Sequence, residues 1–77
     1  MLEELKKLAE CGHPWAEKRA KMALQIAEQY QGGGLDKEEY EQLMRDLIRT
    51  DKLESEADDL ATKTLLVEAI YAVAQLA

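Results

Sequence analysis

Residues 31–40 read QGGGLDKEEY, and this stretch predicts where the chain reverses direction. Three consecutive glycines, Gly32–Gly34, each cost roughly 1 kcal/mol relative to alanine inside a helix, so one helix should end here. A new helix should begin directly afterwards, because Asp36 can cap it and Glu39 stands three residues on, as in a capping box. Two helices joined by a short turn form a hairpin, so the stretch predicts a helical fold.

The same glycines could instead belong to a phosphate-binding loop, which would give the protein chemistry of its own. A Walker-type loop follows a strand and ends in Gly-Lys-Ser/Thr, whereas here a helical pattern precedes the glycines and Leu35-Asp36 follows them. The start of the next helix already carries Asp36, Glu38 and Glu39, which satisfy the positive end of its dipole. These carboxylates would repel a phosphate, so we interpret the glycines as a hinge between helices.

Upstream of the glycines, the sequence predicts helices at about residues 2–10 and 14–31. Gly12 and Pro14 indicate the stop and the start between them, since glycine suits the left-handed position after a helix and proline the first helical position. Within the second helix, Arg19 falls on the apolar side. We expect its aliphatic stem to lie along the edge of the core and its guanidinium to reach a carboxylate.

Downstream of the glycines, the sequence predicts helices at about residues 36–50 and 53–76. The register of the apolar side chains changes near residues 50–51, which favours a short break there, although one bent helix is the alternative. From residue 65 to residue 77 nearly every side chain is apolar, over an arc of about 240° on a helical wheel. Such a helix must contact neighbours on most sides, so it should form either the core of the bundle or the seam of an oligomer.

Length and composition predict one all-α domain, residues 1–77, built as a three- or four-helix bundle or helical hairpin. A chain of 77 residues buries only about 60% of the surface that its unfolded form exposes, so self-association would help to stabilise it. Cys11 is the only cysteine, which excludes an internal disulfide. The sequence has neither a signal-peptide pattern nor an apolar run of membrane-spanning length, so we expect a cytoplasmic protein.

The net charge of −6 lies entirely in residues 36–59, where ten acidic side chains stand against four basic ones. This acidic stretch would repel phosphates, so it argues against nucleic-acid binding and against docking on anionic membranes. It does not fit a calcium-binding EF-hand loop either. Loops starting at Asp36 or Asp51 lack glycine at position 6 and glutamate at position 12.

Cys11 and His13 supply two of the four ligands that a structural zinc site requires, and the sequence contains no other Cys or His. As a nucleophile and base they lack an orienting third group, so a thiol- or metal-dependent enzyme would have to rest on a reactive Cys11 alone. We interpret Cys11 as a small buried hydrophobe and His13 as a cap of the second helix.

One basic and aromatic patch comprises Trp15, Lys18, Arg19 and Lys21. Two lysines on one face are too few for a nucleic-acid groove, and the acidic stretch would oppose them. We interpret the patch as a docking surface for the acidic stretch, within the chain or between chains, or as plain solvated surface.

The favoured function is a non-enzymatic protein–protein interaction or assembly protein, an adaptor or structural protein that associates with itself through the last helix. The residues expected at that apolar face are Leu65, Leu66, Ala69, Ile70, Val73 and Leu76. The alternative is an acidic regulator or inhibitor that binds a basic surface of another protein and could imitate nucleic acid. Its face would comprise Glu38, Glu41, Asp58 and Asp59. Neither function calls for a cofactor, a metal or a small-molecule substrate.

Overall fold

The computed structural model describes residues 2–49 and 51–75, and over that part the chain is an all-α bundle without strands. This confirms the predicted fold class. The helices of the described residues are α1 (Leu2–Leu8), α2 (Pro14–Gln31), α3 (Lys37–Arg49), α4 (Asp51–Glu56) and α5 (Leu60–Ala74). None of the described helices is both long enough and apolar enough to cross a membrane.

The core forms where α5 packs against α1, α2 and α3. Its largest fully buried side chains come from all helices except α2, and they are Leu5, Met44, Leu53, Leu66, Ile70 and Val73. From α2 the core receives mainly alanines, Ala16, Ala20, Ala23 and Ala27, at spacings of three and four residues. Because these side chains are small, α2 can lie close to its neighbours while the large side chains of α5 fill the space.

The reversal at Gly32–Gly34 is a Schellman motif, in which two backbone hydrogen bonds close the end of α2. The Gly34 N–H donates to the Gln29 carbonyl at 2.8 Å, and the Gly33 N–H donates to the Tyr30 carbonyl at 3.1 Å. Gly33 takes the left-handed conformation that this motif requires, with φ of +83°. The glycines therefore form a hydrogen-bonded helix cap, a more fixed arrangement than the hinge that the sequence suggested.

The predicted capping box at the start of α3 is present. The Glu39 N–H donates to Asp36 Oδ1 at 2.8 Å, and the Asp36 N–H donates to Glu39 Oε1 at 3.2 Å. Directly after it, the Tyr40 ring stacks on Tyr30 of α2, with ring centroids 4.3 Å apart and planes inclined by 20°. The cap and the ring stack together close the α2–α3 hairpin.

The predicted helix over residues 53–76 is instead two helices, α4 and α5, separated at residues 57–59. The break was expected near residues 50–51. Residue 50 lies outside the described residues, and Asp51 is the first residue of α4. The predicted end at residue 76 also lies outside the described residues. One cause of the missed break is local, since Asp59 adopts an extended conformation (φ −133°, ψ 109°) and caps α5. Its carboxylate accepts a hydrogen bond from the Thr62 N–H at 3.2 Å and another from the Thr62 hydroxyl.

The turn between α1 and α2 follows the prediction closely, although α1 ends two residues early, at Leu8. Gly12 has φ of +91°, the left-handed conformation expected after a helix, and Pro14 is the first residue of α2. The Gly12 N–H donates to Glu17 Oε2 at 3.1 Å, which ties the turn to the first turn of α2.

Candidate functional site

A cluster of polar side chains joins the start of α2 to α4 and to the segment between α4 and α5. We call it the polar junction, and it consists of His13, Trp15, Arg19, Glu56, Asp58 and Asp59. The sequence predicted that the basic and aromatic patch would meet the acidic stretch, within the chain or between chains. Two side chains of that patch, Trp15 and Arg19, make this contact within the chain.

Arg19 is the buried member of the polar junction, with only 8% of its surface exposed. Its Nη1 donates to the Trp15 carbonyl at 3.0 Å and to Glu56 Oε2 at 3.0 Å. The stem lies in the core while the guanidinium reaches a carboxylate, as the sequence predicted. Arg19 thereby ties α4 to α2.

Trp15 and His13 hold the segment between α4 and α5. The Trp15 Nε1 donates to Asp58 Oδ1 at 3.1 Å, which satisfies the polar atom of an otherwise buried indole. The two ring nitrogens of His13 lie near different carboxylates, with Nδ1 3.5 Å from Asp58 Oδ1 and Nε2 3.7 Å from Asp59 Oδ2. These contacts position the segment so that Asp59 can cap α5.

His13 occupies the N-cap position of α2, but within the described structure its side chain makes no capping hydrogen bond. The prediction that this side chain caps α2 was therefore wrong, because the ring turns towards Asp58 and Asp59. Since the two ring nitrogens face different carboxylates, the three side chains do not converge on one point where an ion could bind. Among the described residues, no group of three or more His, Cys, Asp or Glu is arranged to hold a metal ion.

Among the residues that the structure describes, two groups have a shifted pKa, and each shift has a structural cause. The pKa of Asp59 is lowered, first by the hydrogen bond from the Thr62 hydroxyl, then by that from the Thr62 N–H, with a smaller contribution from His13. The pKa of Tyr40 is raised, mainly by burial and also by the neighbouring Tyr30. The Tyr40 hydroxyl donates to the Val73 carbonyl of α5 at 2.7 Å.

The residues of the predicted acidic face serve different roles in the structure. Asp58 accepts the Trp15 hydrogen bond, and Asp59 caps α5, so both are engaged within the chain. Glu38 and Glu41 lie near the start of α3, where Glu38 is exposed and Glu41 is half-buried. Two of the four carboxylates expected to contact a partner are thus part of the polar junction.

The predicted apolar face of the last helix is largely core. Leu66, Ala69, Ile70 and Val73 are buried against the chain's own helices, so they cannot contact a partner in this conformation. The sequence pattern could not separate these positions from exposed ones, because the helix is apolar on most of its sides. Leu65 is 58% exposed, whereas Leu76 lies outside the described residues.

The side of α5 that points away from the bundle still carries large apolar side chains. Leu60 is 77% exposed and Tyr71 is 53% exposed, in addition to Leu65. We call these three residues the outer face of α5. Sequence reasoning missed Leu60 and Tyr71, although both lie beside the polar Thr64 on a helical wheel, which was a usable signal of exposure.

Two open depressions border the outer face of α5. One, of about 400 Å³, lies between α1 and α5 and is lined by Glu4, Lys7, Leu8, Cys11, Thr62, Leu65 and Glu68. Cys11 is only half-buried there and packs against the core, so it is less buried than the sequence suggested. The other, of about 370 Å³, lies along α5 itself and is lined by Leu60, Lys63, Thr64, Val67 and Glu68.

Comparison of the chain with protein-family models, curated proteins and solved structures found no significant match.

Proposed function

We propose that this protein is a non-enzymatic interaction module that associates with itself through the outer face of α5. The observation that carries the proposal is the exposure of Leu60, Leu65 and Tyr71, each more than half exposed on a single helix. Leu60 and Tyr71 lie about 20° apart around the helix, whereas Leu65 lies more than about 100° from both. Several exposed apolar side chains on one helix of a small domain are typical of protein–protein contacts, whereas a single exposed leucine would need no explanation.

The charge distribution supports a second copy of the chain as the occupant. Residues 60–77 contain one lysine and one glutamate, so this end of the chain is neutral, while residues 36–59 carry the whole net charge of −6. Two copies would repel each other through their acidic stretches, and they could approach most closely through α5. A chain of this size also gains stability by burying apolar surface between copies.

The two groups with a shifted pKa, Tyr40 and Asp59, support the proposal that the protein is not an enzyme. Catalytic groups tend to have a perturbed pKa in a cleft that a substrate can enter. Tyr40 is buried in the core and its hydroxyl donates a hydrogen bond to the Val73 carbonyl. Asp59 caps α5 and accepts a hydrogen bond from the Thr62 N–H. Both shifts are thereby explained by folding, and the proposal includes neither a cofactor nor a small-molecule substrate. A cytoplasmic location is part of the same proposal.

The acidic regulator receives less support from the geometry. Its face would need Asp58 and Asp59 to meet a basic partner, yet the first accepts from Trp15 and the second caps α5. A partner that drew these carboxylates away would also weaken the polar junction.

Sedimentation velocity over a wide range of protein concentration tests self-association. The wild type should show a sedimentation coefficient that rises with concentration, and Leu60→Ser and Tyr71→Ser should each weaken this rise. Leu43→Ser is the matched control, since Leu43 is an exposed leucine (38%) on α3. A wild-type monomer at every concentration would contradict the proposal, as would a control that weakens association as strongly as the two variants.

A further inference from the structure

Four residues of α5 form a stripe with the spacing of a coiled-coil seam. Leu60, Thr64, Val67 and Tyr71 are separated by four, three and four residues, which is the spacing of alternating d and a positions of a heptad. At about 100° per residue they fall within roughly 60° of one another on the helix. Leu60, Thr64 and Tyr71 are exposed and Val67 is half-buried, so the stripe is open to a partner.

The rest of the bundle leaves room for a helix to lie along this stripe. The residues of α5 that face the core, such as Leu66 and Val73, project from a different side of the helix. The one hydroxyl in the stripe before Tyr71 is already satisfied, since Thr64 Oγ1 donates to the Leu60 carbonyl at 2.9 Å. Covering Thr64 with a partner would therefore leave no donor without an acceptor.

The charged residues beside the stripe distinguish between the two possible helix orientations. With Leu60 at position d, Lys63 falls at position g and Glu68 at position e of the next heptad, five residues later. In a parallel pair, g of one helix faces this next e of the other, whereas in an antiparallel pair g faces g and e faces e. A parallel pair would match Lys63 with Glu68 twice, and an antiparallel pair would oppose like charges.

We propose that α5 pairs in parallel with α5 of a second copy through the stripe of Leu60, Thr64, Val67 and Tyr71, about a two-fold axis that runs along the two helices. Lys63 of each copy faces Glu68 of the other, and Leu60, Thr64, Val67 and Tyr71 each meet their own counterpart. This rests on the proposed self-association and adds its partner helix, register and orientation. Lys63 also interacts within its own chain, and its ammonium group has three donors, so the contact with the second copy is additional.

The pairing should be weak and reversible. α5 has 15 residues, which is about two heptads, and the stripe offers few apolar pairs. Interfaces of less than about 1,200 Å² are typical of transient association. The test therefore needs to detect shifts in a weak equilibrium as well as complete loss of association.

Charge reversal tests the orientation by sedimentation velocity. Lys63→Glu alone and Glu68→Lys alone should each weaken association about tenfold, because each replaces two attractive pairs by two repulsive ones. An equimolar mixture of the two variants should associate at least as well as the wild type. In the mixed pair the introduced glutamate would face the introduced lysine, and the native Glu68 of one copy would face the native Lys63 of the other. Thermal unfolding of each variant at low concentration controls for loss of fold.

The opposite pattern would overturn the proposal. In an antiparallel pair, a mixture of Lys63→Glu with the wild type would associate more tightly than either protein alone, because unlike charges would then meet at the g positions. Charge reversals that leave association unchanged would place the contact elsewhere on the surface.

Cross-linking gives a readout that does not depend on charge. In a Cys11→Ser background, Thr64→Cys should form a disulfide-linked dimer with oxidised glutathione as the oxidant, since a parallel two-fold axis places residue 64 beside its counterpart. Gln25→Cys, on the exposed side of α2, is the matched control and should stay largely uncross-linked. Equal cross-linking of the two variants would overturn the proposed register.

Failure of this inference is distinguishable from failure of the proposed function. A wild type that stays monomeric at all concentrations removes self-association and the parallel pair with it. A wild type that associates, but whose charge-reversal mixture and Thr64→Cys variant behave otherwise than described, removes only the parallel pair.

Discussion

The Tyr40 hydroxyl of α3 donates a 2.7 Å hydrogen bond to the main-chain carbonyl of Val73 in α5. Val73 lies in the last turn of α5, where helix carbonyls rely on capping groups and side chains for donors. Tyr40 also stacks on Tyr30 of α2, so one side chain connects three helices. Part of the stability of the bundle should therefore depend on this single phenol.

Tyr40→Phe should lower the free energy of unfolding by about 1–2 kcal/mol, because the ring stack remains while the buried hydrogen bond from the phenol to the Val73 carbonyl is lost. Urea unfolding at low protein concentration measures this. Tyr71→Phe is the matched control, since Tyr71 is 53% exposed and its hydroxyl can bond to water. A similar loss in both variants would show that the Val73 bond contributes nothing specific.

The free energy of unfolding should fall as the pH rises above about 10, because the folded protein holds the Tyr40 proton more tightly than the unfolded chain does. Burial raises the pKa of Tyr40 in the folded state, so the folded protein favours the neutral phenol. That contribution is fully present below the unfolded pKa of about 10 and is lost as the pH rises through the folded pKa. Unfolding free energies measured on both sides of pH 10 should show this decline, and Tyr40→Phe should lessen it.

Acid should weaken the start of α5. Hydrogen bonds from Thr62 lower the pKa of Asp59, so its contribution is present above the unfolded value of about 3.9 and is lost as the pH falls through the folded pKa. Asp59→Ala should lower the thermal midpoint at neutral pH and flatten its acid dependence. Thr62→Val, which removes the hydroxyl donor and keeps the N–H, should have a smaller effect in the same direction. If the thermal midpoint of Asp59→Ala depended on acid pH in the same way as that of the wild type, this account would be contradicted.

The glycines of the α2–α3 turn should differ in their tolerance of alanine. Gly33→Ala should destabilise the protein by roughly 1–2 kcal/mol, because an L-residue is disfavoured at its φ of +83°. Gly32 is right-handed helical (φ −80°, ψ −1°), and an added Cβ would meet the Glu28 carbonyl at an acceptable 3.4 Å. Gly32→Ala should therefore be neutral or stabilising by up to about 1 kcal/mol. Equal costs at the two positions, measured by urea unfolding, would contradict the Schellman assignment.

The Arg19–Glu56 pair should contribute modestly despite the burial of Arg19. The Glu56 side chain is 47% exposed, so we expect a coupling free energy of about 1 kcal/mol in a double-mutant cycle with Arg19→Met and Glu56→Gln. Arg19→Met alone should cost more than the coupling, because it also removes the donor to the Trp15 carbonyl. Lys18→Met, an exposed neighbour, is the control. A coupling near zero would show that Glu56 does not hold α4.

The elements that sequence predicted well are those whose hydrogen bonds lie within a few residues. The α3 capping box spans Asp36 to Glu39, and the glycine turn and Pro14 act on their immediate neighbours. The break at residues 57–59 was missed because part of its cause is distant in sequence, since Trp15 holds Asp58 across 43 positions. No local pattern reports such a contact.

The site was harder to predict than the fold, and α5 shows why. A helix that is apolar on most sides can bury any of several of those sides, and the packing of its neighbours determines which side is buried. Here α1, α2 and α3 cover Leu66, Ile70 and Val73 and leave Leu60 and Tyr71 outside. Which side is buried depends on how the whole bundle packs, so the predicted contact surface fell mainly on residues that the bundle covers.

The Schellman turn also has an evolutionary consequence. Although the three glycines look equivalent in the sequence, Gly33 alone among them combines a left-handed backbone with a place in the hydrogen-bonded cap. Selection for folding should therefore act on codon 33 far more strongly than on its two neighbours. Natural variants should keep glycine, or at most asparagine, at this position while positions 32 and 34 drift.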